Sequence, residues 1–410
     1  MTTFECIKLF RDILSPNRGV SAEEIQRTGL LAVKIAQMYA VRSDLISVEK
    51  CAELSRLMQQ TQPLSEAAFR ERWKEVRMPA FDDAVAQIEP APIAAASLGQ
   101  VHRARLRDGS EVVVKISKSD ERAAFVDDLR RMRLLAKIAL TFYPKLQKLA
   151  DPLAALEAVE RQTLREMNFM AEITGARRLA RLAQENRDHL DHLWRVNFPS
   201  YYATFSNDRF LVSEFVAGRT IAESIDRGEF PYEALLDLFR IHGFFLFVRG
   251  EFHGDLHPGN VIWRDGEFWF LDNANVETVP VAFARGLFDM LVSLGQGNYV
   301  EAARQLAGLS IQPIPGSKLK NFENAFATLY RGFAGKPIAE VSLTNQMMQT
   351  VKLAVSNGIT FPREAFPVIK SLMYMDGMAL RVAPNANLLQ DVARFASDFP
   401  RIETPAVARA

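Results

Sequence analysis

The string His253-Gly254-Asp255-Leu256-His257-Pro258-Gly259-Asn260, followed by Leu271-Asp272, constrains this chain more than any other feature. Between the two pieces runs Val261-Ile262-Trp263-Arg264-Asp265-Gly266-Glu267-Phe268-Trp269-Phe270, two apolar runs around an Asp-Gly pair. Asp-Gly in that setting is the strongest short hairpin signal, because both central residues of a type I′ turn need positive φ. A hairpin returns the chain to its start, so Asn260 and Asp272 are expected at one mouth. By composition alone, His, Pro, Gly and Asn mark only a polar turn. The spacing around a hairpin carries more. It places Asp255 to orient a nucleophile, Asn260 to hold a metal, and Asp272 to hold the metal that bridges nucleotide phosphates.

The rest of the chain fits a kinase-like arrangement around that motif. Residues 1–75 read as helices, with apolar positions at helical spacing through Ile25, Leu30, Leu31, Val33 and Ile35, then Leu54, Leu57 and Met58. Pro90, Pro92 and the turn-rich stretch after Glu89 end that region. Two strands follow, Gln100–Leu106 and Glu111–Ile116, around Asp108-Gly109. Residues 121–195 read as helices. A second strand pair is expected at Tyr201–Phe205 and Phe210–Phe215. Helices resume over 231–250 and again from Val281 to the end. The order fits an α+β, bilobal protein-kinase-like fold better than a doubly wound sheet. Its expected parts are a helical N-terminal extension over 1–78, an N-lobe over 79–216 and a helix-rich C-lobe over 217–410.

Composition removes several alternatives. With 410 residues the chain is long enough for two lobes. Lys+Arg 50 against Asp+Glu 49 leaves no bulk charge to draw it to nucleic acid. Cys6 and Cys51 are too few for a disulfide framework and lack metal-site spacing. The N-terminus lacks the basic and apolar regions of a signal peptide. No apolar run reaches the roughly 18 residues of a membrane span. A cytoplasmic protein is the expectation.

Four further groups of residues carry chemistry. Ala94, Ala95, Ala96 and Ser97 precede the first predicted strand, where a glycine-rich loop would cover phosphates with its backbone N–H groups. Alanine restricts positive φ, so this loop is expected to be stiff. Taken alone, it equally describes a closely packed helix start. Lys115 lies on an otherwise apolar strand, where it needs an anionic partner or must snorkel to water. It is expected to contact the α/β-phosphates and to pair with a helix glutamate, the candidate being Glu172. Glu166 and Glu172, six residues apart on one predicted helix, would point roughly 120° apart and so should not share a partner. Residues 130–148 carry six basic side chains and no acidic one. Such a helix suits an anionic membrane surface, although a solvated helix face is the commoner explanation.

Together these pieces resemble the UbiB (AarF) family of atypical kinases, over roughly residues 20–395. The segment Ala94-Ala95-Ala96-Ser97-Leu98-Gly99-Gln100-Val101-His102 matches that family's signature, which ordinary kinases lack. Lys34 and Gln37, with Arg42 and Asp44 behind them, resemble its N-terminal Lys-x-Gly-Gln element. In the family that extension covers the site where a protein substrate would dock, and its lysine meets a glutamate that matches Glu166. The resemblance thus implies two ion pairs, Lys34–Glu166 and Lys115–Glu172. The stretch Asp376–Asn387 resembles the closing helix. Departures are Ala36 for the family's glycine, Asn168 for the acid of Glu-x-Asp, and Asp272-Asn273-Ala274 for Asp-Phe-Gly, which makes activation-loop switching unexpected. Many members end in membrane-spanning helices, whereas this chain ends at Pro400–Ala410 without one.

The expectation is therefore an ATP- and Mg²⁺-binding atypical kinase or ATPase, with adenine near a hinge at Glu214-Phe215-Val216. The acceptor would be a small molecule or lipid. The resemblance implies a role in ubiquinone or related isoprenoid-lipid metabolism and leaves peripheral contact with an inner membrane face open. Two rivals are a phosphotransferase for a specialised small molecule and a nucleotide-sensing scaffold. The second is disfavoured because Asp255, Asn260 and Asp272 are all present. A protein kinase is least expected, given the alanine-rich loop and the N-terminal extension.

Overall fold

The computed structural model describes residues 3–15, 19, 21–40, 46–47, 50–51, 53–54, 62–142, 152–333, 335–341, 343–362 and 364–399. Arg42, Asp44, Leu57, Met58, the end of the basic stretch beyond 142, and 400–410 lie outside them. The described chain is α+β. It divides into two compact units, one of residues 1–174 with 199–215, the other of 175–198 with 216–410.

In the first unit the helices α1 (Thr3–Leu14), α2 (Ala22–Thr28), α3 (Leu30–Tyr39), α4 (Glu66–Val76) and α5 (Pro79–Ala84) lead into β1 (Val85–Ala95), β2 (Gly99–Leu106) and β3 (Glu111–Ser117). Helices α6 (Arg122–Phe142) and α7 (Pro152–Glu166) follow, then α8 (Met170–Glu185), whose first turn belongs to this unit and whose remainder from Gly175 belongs to the other. With β5 (Phe210–Glu214) the strands make an antiparallel sheet in the order β1-β2-β3-β5. Alternation along β3 buries Val112, Val114 and Ile116 against Phe69, Phe81, Phe210 and Val212. A separate apolar cluster joins α3, α6 and α7 through Leu31, Ile35, Phe125, Leu129, Leu156 and Val159.

Three expectations need correction here. Residues 85–95 are a strand, not the end of the helical region. Pro90 and Pro92 are tolerated because β1 is an edge strand whose pairing with β2 is irregular around them. Residues Ala203–Phe205 form a 3₁₀ turn rather than a strand, and of that segment Tyr201 alone bridges to Ser213. Glu166 and Glu172 lie on different helices. Asn168 breaks the run, its side chain accepting from the Met170 N–H at 3.1 Å as α8 begins.

In the second unit β4 (Val196–Asn197) pairs in parallel with β8 (Glu267–Phe270), which pairs antiparallel with β7 (Val261–Arg264). A short ladder joins β6 (Glu251–His253) to β9 (Val276–Thr278). Around them pack α9 (Ile221–Asp226), α10 (Tyr232–Gly243), α11 (Val281–Gly295), α12 (Tyr299–Gly308), α13 (Gly316–Leu329), α14 (Leu343–Ser356), α15 (Ala365–Val382) and α16 (Leu388–Ala393). The core is rich in aromatic residues: Phe239, Phe244, Phe252, Phe268, Phe270, Phe288, Phe322 and Tyr330 are all buried. Asp265 (φ 54°) and Gly266 (φ 82°) turn the β7–β8 hairpin, as the sequence predicts for Asp-Gly.

Candidate active site

On the second unit the hairpin does what its sequence requires. The Leu271 N–H donates to the Asn260 carbonyl at 2.9 Å, so the residues that flank the hairpin return to one end of it. The loop between β6 and β7 is held by its own backbone. His257 N–H bonds the Asp255 carbonyl at 2.7 Å, and Asn260 N–H bonds the His257 carbonyl at 2.8 Å. Asn260 Nδ2 donates to the Asp255 carbonyl at 3.2 Å, which leaves its amide oxygen as the atom suited to a cation. Asp272 Oδ1 accepts from the Ala274 N–H at 3.3 Å. One amide and one carboxylate oxygen, both hard donors, fit Mg²⁺, which completes its shell with phosphate oxygens and water. No group of three or more His, Cys, Asp or Glu side chains capable of caging an ion occurs among the described residues.

Buried His253 ties the two halves of this motif together. Its Nε2 bonds the Asp272 carbonyl and its Nδ1 accepts from the Asp255 N–H at 3.2 Å. That tautomer, protonated on Nε2, is the neutral form, and burial pushes the ring's pKa down despite the nearby carboxylates. Asp255 meets Lys370 Nζ at 2.9 Å. Burial raises the Asp255 pKa, but the Lys370 ammonium and the Tyr374 hydroxyl outweigh it and hold the carboxyl below its ordinary value. Asn273, the second residue of the altered Asp-Phe-Gly element, is fully buried and donates to the Phe270 carbonyl at 2.8 Å.

Lys370 and Tyr374 escaped sequence reasoning. They sit one turn apart on α15, more than a hundred residues after Asp255. The one available signal was their i, i+4 spacing, which puts them on one helical face.

On the first unit Lys115 Nζ lies 2.6 Å from Glu172 Oε2. Glu172 occupies the first turn of α8, where the helix dipole favours an anion. Lys115 sits in register with Val101 on β2 and Leu211 on β5. Lys34 pairs with Glu166, and Gln162 Nε2 donates to the other Glu166 oxygen at 2.8 Å. Lys34 and Ala36 are buried, while Gln37 is half-buried. The two lysine–glutamate pairs are thus separate, as the resemblance implies.

The alanine segment forms the β1–β2 turn. Ala94 pairs with Val101 and Ala95 with Gln100, and Ala96 N–H bonds the Gly99 carbonyl at 2.8 Å. None of Ala94, Ala95, Ala96 or Ser97 has positive φ, so the turn does not require glycine there. Gly99 is different: a Cβ would lie 3.0 Å from the Ile116 carbonyl oxygen and 3.1 Å from Phe169. Gln100 and His102 in the same signature are fully buried and structural. Gln100 Oε1 accepts from the Leu64 N–H at 2.8 Å, and its amide meets His102 Nε2 at 2.7 Å. His102 Nδ1 then donates to the Glu89 carbonyl at 2.9 Å. Glu214 closes β5, its carboxylate accepting from the Ser200 N–H at 3.0 Å. Val216 is buried on the second unit, whose boundary with the first falls in the chain between Phe215 and Val216.

A model of the ABC1 atypical kinase-like domain matches residues 56–306. The chain belongs to that family. Among curated relatives, a probable protein kinase UbiB from Tolumonas auensis is 26% identical over 91% of this chain and 68% of its own length. An uncharacterized aarF domain-containing protein kinase of Arabidopsis thaliana, described as chloroplastic, is 28% identical over 87% of this chain and 50% of its own. The chain thus spans about half to two thirds of these relatives. A solved structure, the complex of Rv3197 with erythromycin from Mycobacterium tuberculosis, aligns at TM-score 0.49 and 17% identity over 93% of this chain and 95% of that one. No helix among the described residues is long and apolar enough to cross a membrane.

Proposed function

We propose that this ABC1-family chain binds ATP with Mg²⁺ and transfers or hydrolyses its terminal phosphoryl group. The observation that carries this is the motif on the second unit. One hairpin returns Asp272 beside Asn260, and His253 locks Asp272 to the loop that bears Asp255. When Mg²⁺ is bound at Asn260 and Asp272 it neutralises phosphate charge. Asp255 orients the attacking water or hydroxyl for in-line displacement. Lys115, kept in place by Glu172, contacts the nucleotide phosphates. We assign the turn Ala94–Ser97 to the phosphates, and Glu214 and Val216 to the adenine. Lys34, Gln37 and Glu166 are regulatory, the part-buried Lys34–Glu166 pair holding the N-terminal helices in place.

The acceptor we favour is a lipid or small molecule in ubiquinone or related isoprenoid metabolism, reached from a membrane surface. Helix α6 supports peripheral contact: Leu134, Ile138 and Phe142 follow one another at i, i+4 and are 61%, 48% and 74% exposed. Exposed Arg130, Arg131 and Lys137 flank that stripe. Apolar residues bordered by basic ones suit an anionic bilayer surface.

The test is Mg²⁺-dependent phosphate release from ATP by the full chain, with and without anionic vesicles, using Asp272→Asn as blank. Release that vesicles stimulate and the substitution abolishes is the expected result. ATP binding that does not depend on magnesium would refute the metal assignment. Binding without release in either condition would favour a dedicated acceptor kinase or a nucleotide sensor.

A further inference from the structure

Helix α15 sends one turn of side chains into the catalytic loop. Lys370 Nζ lies 2.9 Å from Asp255 Oδ1. Tyr374, one turn on, also reaches Asp255 through its hydroxyl. The Lys370 ammonium sits 5.5 Å from the Tyr374 ring centroid, and His257 packs edge-on against that ring at 5.7 Å. Between them Ser371 bonds His242 of α10, both fully buried, which fixes the turn against the body of the unit.

A carboxylate offers about four lone-pair sites, and an aspartate that must receive a nucleophile's proton side can spare only some of them. Here the loop's own hydrogen bonds reach the backbone of Asp255, through its N–H and carbonyl, and leave the side-chain torsion to be set by other groups. We propose that Lys370, seated on Tyr374, is the positioning residue that sets the Asp255 carboxylate for the attacking oxygen. The proposal rests on the phosphoryl-transfer function above. It gives α15, which lies beyond the matched family domain at 56–306, a direct part in the reaction. The ion pair at Oδ1 and the Tyr374 hydroxyl together limit rotation of the carboxylate and leave a remaining lone pair for the incoming O–H.

The experiment is steady-state and single-turnover Mg-ATP hydrolysis by the full chain carrying Lys370→Met, Lys370→Arg, Tyr374→Phe, Asp255→Asn and Asp255→Asn/Lys370→Met. Misplacement of a reacting group by about 1 Å costs on the order of 10²-fold. Lys370→Met is therefore expected to lower kcat about 10²-fold with KM for Mg-ATP held within about twofold, and Lys370→Arg to recover part of it. Tyr374→Phe should give a smaller loss in kcat alone. In the Asp255→Asn background Lys370→Met should cost nothing further, since the residue acts through a group already removed. Equal losses in both backgrounds, or a Lys370→Met kcat within about threefold of the parent, overturn the proposal. Should Lys370→Met fail to fold, Lys370→Arg and Tyr374→Phe decide it, because unchanged kcat in both also overturns it. Absence of any turnover sensitive to Asp272→Asn in the parent chain refutes the kinase function, and the positioning role with it. Turnover sensitive to Asp272→Asn but indifferent to residue 370 refutes the positioning role alone.

Discussion

Single residues here are understood from which polar atoms they satisfy. His242 on α10 is fully buried against Ser371, and burial drives its pKa down to about 3. The ring is therefore neutral in the folded unit, whereas in the unfolded chain it takes a proton near its ordinary value of about 6.5. Between those values the unfolded state binds more protons, so stability is full above about pH 6.5 and falls as pH drops, by up to about 1.4 kcal/mol per unit. The stability lost between pH 7 and pH 5, read from denaturant midpoints, should be about 2 kcal/mol smaller in His242→Asn than in the parent. An identical pH dependence in the variant would contradict this. The same logic separates the residues of the family signature. Its alanines could be read as a phosphate loop from sequence, but that Gln100 and His102 serve a buried hydrogen-bond chain could not. The partners Leu64 and Glu89 are remote in sequence and carry the bond through backbone atoms, which have no residue signature.

Among the elements, hairpins and amphipathic helices were legible. The β7–β8 turn, the β2–β3 pair and the helix α3 bearing Lys34 and Gln37 all follow from local pattern. Strand β1 was not, because two prolines argue against a strand unless it lies at an edge, and edge position is a tertiary fact. The break between α7 and α8 was hidden for a similar reason. Asn168 is an ordinary helix-surface residue until its side chain caps the next helix. Helix α8 also carries a demand that its sequence barely shows. At Gly175 a Cβ would lie 1.8 Å from the Asn273 carbonyl oxygen, a backbone atom that cannot swing aside. Gly175→Ala should gain helix propensity of about 1 kcal/mol yet lose several times that through the clash, by about 3 kcal/mol or more. Thermal unfolding is the check, and an unchanged or raised midpoint would show that Asn273 can give way.

At the scale of the whole molecule, the function proposed above draws on Lys115 of the first unit and Asp272 of the second. A ligand that binds the native chain alone stabilises it by about 2.7 kcal/mol at a hundredfold excess over Kd. Saturating Mg-ATP should raise the unfolding midpoint of the full chain. Lys115→Met and Asp272→Asn should each remove most of that rise, although they lie on different units. If one substitution abolishes the rise and the other leaves it whole, the residue without effect does not serve the nucleotide.

The sequence by itself determined the motif, its hairpin and the family resemblance, and the lysine–glutamate pairings came only as what that resemblance implies. Spacing along one strand, one turn or one helix is enough to encode the motif and the hairpin. Tertiary structure alone decided that β1 is an edge strand, that Gly99 and Gly175 sit against foreign backbone, and that Lys370 and Tyr374 reach Asp255. Each of those depends on atoms brought together from distant parts of the chain, where neither periodicity nor propensity extends. Close packing and buried polar pairing, which act only once the chain has folded, supply the missing constraint.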